Sequence, residues 1–175
     1  VCGKRGGNMI IDSNTEMLLF RYNNYKKHLF IDEHRSVLQR EGHVWMLKLG
    51  RKTNNERIRA ISEGGGWMIL RAPKSEGGTS FLAKFTEMQE ETPTEHCYPE
   101  YYKEIFQDSN DNFFYYEDSP QQWFNIVLLF PLNSDVASSL VISKNKKKVD
   151  DVIPTTRTAV MFVQNDSPIE VSGVV

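Results

Sequence analysis

The residues able to do chemistry in this 175-residue sequence fall into two groups: nucleophilic and metal-ligating side chains are scattered, whereas aromatic and basic ones are gathered. His28, His34, His43 and His96 show neither HxxxH nor HExxH spacing, and Cys2 and Cys97 have no CxxC partner, so no metal site, redox motif or disulfide framework is indicated. Cys97 stands beside His96, but neighbours in an extended segment point to opposite sides, which separates the thiol from that base. The glycines at 64–66 and 77–78 match neither GxGxxG nor GxxxxGK followed by Ser or Thr, so neither phosphate-cradling loop is present. Without a nucleophile, base and oxyanion donor in any local signature, no catalytic residue and no cofactor is expected. By contrast, Trp45, Trp67 and Trp123 each fall at or near the start of a strand-like run, and Tyr98, Tyr101, Tyr102, Tyr115 and Tyr116 precede Trp123. Large aromatics are first of all core material, but several at strand ends also make flat walls on which a nucleobase can stack.

The charges are segregated along the chain. Residues 44–74 carry seven basic and two acidic groups, whereas residues 75–121 carry two basic and eleven acidic ones. The overall net charge of −2 therefore excludes only a domain coated in positive charge, and leaves one basic edge allowed. An apolar content of 39% and the lack of any long apolar run fit an ordinary soluble chain, with no membrane partner expected. Two cysteines suit a reducing, cytoplasmic setting. Residues 1–8 read as a linker remnant and 9–175 as a single domain.

The elements that must position these groups can be read from periodicity. Residues 9–22 suit two short strands around an Asp-Ser-Asn-Thr turn. His34–Glu41 suits a short helix closed by Gly42, His43–Leu49 a strand, and Asn54–Ser62 a helix capped by Asn54 and stopped by three glycines. Trp67–Ala72 and Phe81–Met88 form a long hairpin signal. A helix over Glu100–Phe106 lies in the acidic connector. Phe113–Tyr116, Trp123–Phe130, Ser138–Ser143 and Thr158–Val163 read as strands, with a helical turn at Val149–Val152. The sum is a mixed α/β (α+β) fold: a small, strongly bent sheet or barrel of about six strands with short flanking helices.

In that order the motifs resemble the PUA-like superfamily, in particular its EVE and YTH branches, which read modified bases. The features that carry the likeness are Val44-Trp45, then Asn54-Asn55-Glu56-Arg57, Ile69-Leu70 and Ala83-Lys84-Phe85-Thr86-Glu87-Met88 in the first half. In the second half they are Trp123–Phe130, Pro131-Leu132, Ser139-Leu140, the lysine-rich patch and Thr156-Arg157-Thr158-Ala159-Val160. The likeness covers about residues 43–163. It implies a PUA-like domain that binds DNA or RNA and accommodates one flipped, modified base, such as a methylated one, in an aromatic cage. Trp45 would wall that pocket, the backbone of Met46 and Leu47 would meet the base, and Tyr98, Tyr101 or Tyr102 would complete the cage, with Trp67 and Trp123 as further candidates. Lys48, Arg51, Lys52, Asn54, Arg57 and Arg157 would meet phosphates. Such domains are often joined to a nuclease or motor in phage defence, so a fused or associated effector is a further expected partner. The lead-in reads His-Val-Trp rather than Tyr-Trp, and residues 89–112 hold no Trp, which leaves the base and its modification open. The rival readings are a protein- or peptide-binding module using the acidic 87–118 region and an ASCH-like nucleoside hydrolase.

Overall fold

The computed structural model describes residues 9–111 and 121–171, so the expected strand at Phe113–Tyr116 lies outside the described residues. Nine strands are present among them: β1 (Met9–Ile11), β2 (Glu16–Arg21), β3 (Val44–Lys48), β4 (Trp67–Arg71), β5 (Ser80–Gln89), β6 (Gln122–Pro131), β7 (Val141–Ile142), β8 (Val160–Gln164) and β9 (Ile169–Val171). Interspersed are α1 (Phe30–Glu41), α2 (Asn55–Glu63), α3 (Tyr102–Asp111), α4 (Ser134–Ser138) and α5 (Val149–Val152). Seven strands form one sheet in the order β3-β6-β5-β4-β2-β8-β7, with β2 parallel to β4 and the other pairs antiparallel; β1 and β9 form a separate antiparallel ribbon.

This mixed α/β architecture matches the expected class, but the sheet is open and does not close into a barrel. Its two ends explain why. At one end β7 is two residues long and presents little edge to pair with. At the other, the outward N–H groups of β3 are already used: Trp45 N–H donates to the Cys97 carbonyl at 2.8 Å and Leu47 N–H to the Tyr102 hydroxyl at 3.1 Å. The connector after β5 and the first residue of α3 thus cover the edge that a barrel would have paired.

Side-chain alternation along the strands builds a core on each face of the sheet. Leu18, Met68, Leu70, Ala83 and Phe85 face one side, where Phe30, Ile31 and Val37 of α1, Ile58 and Ile61 of α2, and Tyr102 of α3 cover them. Met17, Leu19, Ile69, Leu82, Met161 and Val163 face the other, covered by Ile11, Ile169 and Val171 of the ribbon and by Val149 of α5. β4 is buried on both faces, which accounts for its unbroken apolar run.

Local chemistry sets the element ends. Asn54 accepts from Arg57 N–H at 3.0 Å and caps α2, as its position before the periodic run predicts. At the far end of α2, Gly66 sits at φ +72 so close to β5 that a Cβ would stand 2.1 Å from the Phe85 carbonyl oxygen, and its own carbonyl accepts from Phe85 N–H. No other residue type fits there. α1 begins four residues before the expected His34, because Asn24, six residues upstream, accepts from Phe30 N–H at 2.8 Å in place of a local cap. The expected strand over Ser138–Ser143 is corrected to the end of helix α4 followed by β7: Asn133 accepts from Asp135 N–H at 2.8 Å and starts a helical turn that consumes Ser138. The β9 strand gives too short a signal to be read from sequence.

Candidate functional site

The residues expected to form an aromatic cage are packed against one another. Trp45, Met46, Leu47, Tyr101, Tyr102 and Trp123 are buried in one cluster, with Tyr98 half-buried at its margin. Trp123 has no exposed surface; its ring lies 5.3 Å from that of Tyr98 and 5.7 Å from that of Tyr102. Trp67 does not join them: it belongs to the opposite core, with the Lys84 ammonium 4.6 Å from its ring centroid. The polar groups of the cluster are satisfied internally. Tyr102, 2% exposed, accepts from Leu47 N–H and donates to His34 Nε2, while His34 Nδ1 donates to the Phe30 carbonyl at 2.7 Å. Burial pushes the His34 imidazole down to about 4, and drives the Tyr102 phenol well above its ordinary value. The Leu47 backbone, expected to meet a base, is thus already bonded to Tyr102.

The residues expected to meet phosphates have the opposite character. Lys48, Arg51, Lys52 and Asn54, from the end of β3 and the loop before α2, share a cleft of about 530 Å³ with Arg157, which lies more than a hundred residues further along the chain. Leu49, Val160 and Phe162 supply its apolar lining, and among the described residues no carboxylate lines it. Arg57 stands just outside, its guanidinium 3.6 Å from the Phe162 ring centroid and 2.6 Å from Glu16. Of the set, Arg51, Lys52, Asn54, Arg57 and Arg157 are exposed, whereas Lys48 is buried, donates from Nζ to the Arg51 carbonyl, and is pushed below the ordinary lysine range by desolvation.

Both walls of the cleft are held in place. Gln122, 1% exposed, clamps the loop before α2 by accepting from Thr53 N–H at 3.0 Å and donating to the Thr53 carbonyl at 2.7 Å. Lys52 is anchored by Glu90 at 2.5 Å, and the hydrogen bonds from Lys52 and Asn55 hold the Glu90 carboxyl below the usual range. On the other side, Arg21 Nη1 donates to the Thr156 and Thr158 carbonyls at 3.0 and 3.2 Å, so the segment that carries Arg157 is bracketed by a second arginine.

Sequence reasoning missed the continuation of this surface. Beyond Arg157, Thr158 and Ala159 a second cleft of about 750 Å³ opens, lined by Arg21, Arg71 and Lys74, with Asp150 as the acidic member of its lining. Asp150 is itself paired with Arg71 at 2.7 Å. A third, of about 290 Å³, adds Arg57 and Lys144 beside Phe162. The 156–162 segment is common to all three, so it runs as a spine through a basic groove. The signal that could have marked it is the positive 44–74 stretch, of which Lys48, Arg51, Lys52, Arg57, Arg71 and Lys74 all reach the groove. Among the described residues, no helix is long and apolar enough to cross a membrane. Comparison with protein-family models, curated proteins and solved structures finds no match to this chain.

Proposed function

We propose that this chain binds nucleic acid along the groove centred on residues 156–162, with phosphates held by Arg51 and Arg157 and one extruded base lodged in the cleft they border. The observation that carries this reading is the convergence of Lys48, Arg51, Lys52 and Arg157 on a carboxylate-free cleft, in a chain whose net charge is −2. Evenly mixed surface charge would place acidic groups in that lining; here Glu90, paired with Lys52, stays outside it. The volume suits a small organic ligand, for which clefts run from about 300 to 1,000 Å³. With Trp45 buried, the apolar surface offered to a base here is that of Leu49, Val160 and Phe162. Methylated or otherwise enlarged bases, expected from the likeness to EVE and YTH domains, would gain there from apolar area.

Fluorescence anisotropy with single- and double-stranded DNA and RNA oligonucleotides, each with and without base modification, tests the reading. Binding at low salt (about 50 mM) that weakens steeply as salt rises is the expected result. Arg51→Glu and Arg157→Glu should each lower affinity at least about tenfold through like-charge repulsion with phosphate. Absence of binding to every oligonucleotide at low salt overturns the proposal.

A further inference from the structure

A second cluster lies apart from the groove, at the covered edge of β3. His43 precedes β3, while Glu95 and Cys97 come from the connector after β5. The imidazole nitrogen, carboxylate oxygen and thiol sulfur lie within 4.8 Å of one another, and among the described residues no other three such side chains gather in this way. The alternation that turns His96 away from Cys97 puts Glu95 and Cys97, two residues apart, on one side; His96 pairs with Glu100 instead, at 3.3 Å.

Hydrogen bonds from outside the trio hold each member. Asn125 Oδ1 lies 2.8 Å from His43 Nδ1 and orients the ring so that Nε2 is turned toward Glu95. His43 Nε2 stands 3.4 Å from Glu95 Oε1. Trp45 Nε1 donates to the same carboxylate at 3.4 Å, and Trp45 N–H fixes the Cys97 backbone. An imidazole oriented by an amide oxygen and a carboxylate oriented by an indole are the outer supports that metal ligands require. Tetrahedral zinc, with bonds of about 2.0–2.3 Å, holds its ligand atoms about 3.3–3.8 Å apart. His43 and Glu95 already meet that spacing. The remaining closure is within reach of the Glu95 side chain, which is 57% exposed and can turn.

We propose that His43 Nε2, a Glu95 carboxylate oxygen and Cys97 Sγ bind one Zn²⁺ ion with water in the fourth position, pinning the connector between β5 and α3 to the edge of β3. A nitrogen, oxygen and sulfur donor set suits this borderline cation over magnesium or calcium, which take oxygen ligands. Binding replaces the Cys97 thiol proton, which leaves to solvent, one for each ion bound. The site is independent of the nucleic-acid reading.

Titration of the full chain with Zn²⁺ against a chromophoric chelator, and with Co²⁺ followed by absorption, tests the assignment. The expected result is one equivalent bound, with a thiolate-to-cobalt charge-transfer band in the near ultraviolet. Cys97→Ser abolishes the band and Cys2→Ser keeps it. Because Glu95 is exposed, Glu95→Gln leaves the fold intact, as circular dichroism will show, and weakens binding at least about tenfold; Asn125→Ala weakens it about 10–100-fold by releasing the imidazole. Lack of the band in the parent chain, its persistence in Cys97→Ser, or undiminished affinity in Glu95→Gln overturns the proposal.

Discussion

The aromatic cluster under the β3 edge and the basic groove around residues 156–162 are built from opposite materials. In the cluster every expected contact for a ligand is spent on the protein itself: Trp123 has no exposed surface, Leu47 N–H is bonded to Tyr102, and Tyr102 to His34. In the groove the backbone is clamped, Lys48 and Lys52 are paired within the protein, and two arginine side chains are spared. Gln122 clamps Thr53 and Arg21 brackets residues 156–158, yet Arg51 and Arg157 stand exposed above those anchors. The contrast separates groups whose partners are internal, which hold the fold, from groups positioned by others and left facing solvent, which are available to a ligand.

The largest effect that can break this contrast is at Trp123. Trp123→Ala should destabilise the chain by about 3–5 kcal/mol, measured by urea denaturation, since it deletes a ring with no exposed surface. A variant that stays folded with an unchanged midpoint but loses oligonucleotide binding would return Trp123 to the ligand site. Next comes acid. The His34 imidazole is held near 4 in the folded chain against an ordinary value of about 6.5, so between those pH values the unfolded chain binds a proton that the folded one does not. Stability from this source is complete above about pH 6.5 and is lost as pH falls toward 4, by on the order of 3 kcal/mol. His34→Gln, which cannot titrate, should flatten the denaturation midpoint across that window.

A smaller loss is expected from Tyr102→Phe. The ring remains, but Leu47 N–H and His34 Nε2 lose their shared partner inside the protein, at a cost of about 2 kcal/mol in chemical denaturation. Oligonucleotide affinity should stay within about twofold of the parent, because the hydroxyl faces only the core. A selective loss of binding to modified oligonucleotides would place Tyr102 in the cage that the likeness to EVE and YTH domains implies.

What the sequence made legible follows from the range of the interactions involved. The Asn54 cap, the Gly42 and Gly64 helix stops, and the unbroken apolar run of β4 are local or periodic, and each element stands within a few residues of its expected place. The start of α1 rests on Asn24 and the openness of the sheet on Cys97 and Tyr102, all contributed from outside the element they control. No local pattern carries that information. The basic half of the candidate site was legible for a related reason: exposed cations are not consumed by packing, so Arg51 and Arg157 keep the availability that their residue types imply, whereas Lys52 is taken up by Glu90. Aromatic residues lack this property, since a tryptophan suits a core and a base platform equally. Burial, which depends on the whole chain, decides between them at Trp45. The His43, Glu95 and Cys97 cluster was illegible because its members are drawn from segments some fifty residues apart, outside any ligand-spacing rule.

The smallest predicted effect is the most discriminating. Arg157 is exposed, sits on a segment held by Arg21, and lines both of the larger clefts. If it meets a phosphate, Arg157→Ala removes one neutralised charge. The log–log slope of affinity against salt then falls by about one, and affinity drops by the same factor for every oligonucleotide, modified or not. The melting temperature should stay within about 2 °C of the parent, because Arg157 is exposed. A drop confined to one base or one modification, with the salt slope unchanged, would mean that Arg157 reads the base itself. Specificity would then reside in the groove, and the aromatic cluster would be scaffold alone. An equal drop on all oligonucleotides leaves base selection to the cleft floor of Leu49, Val160 and Phe162, where Phe162→Ala would be the next substitution to compare against it.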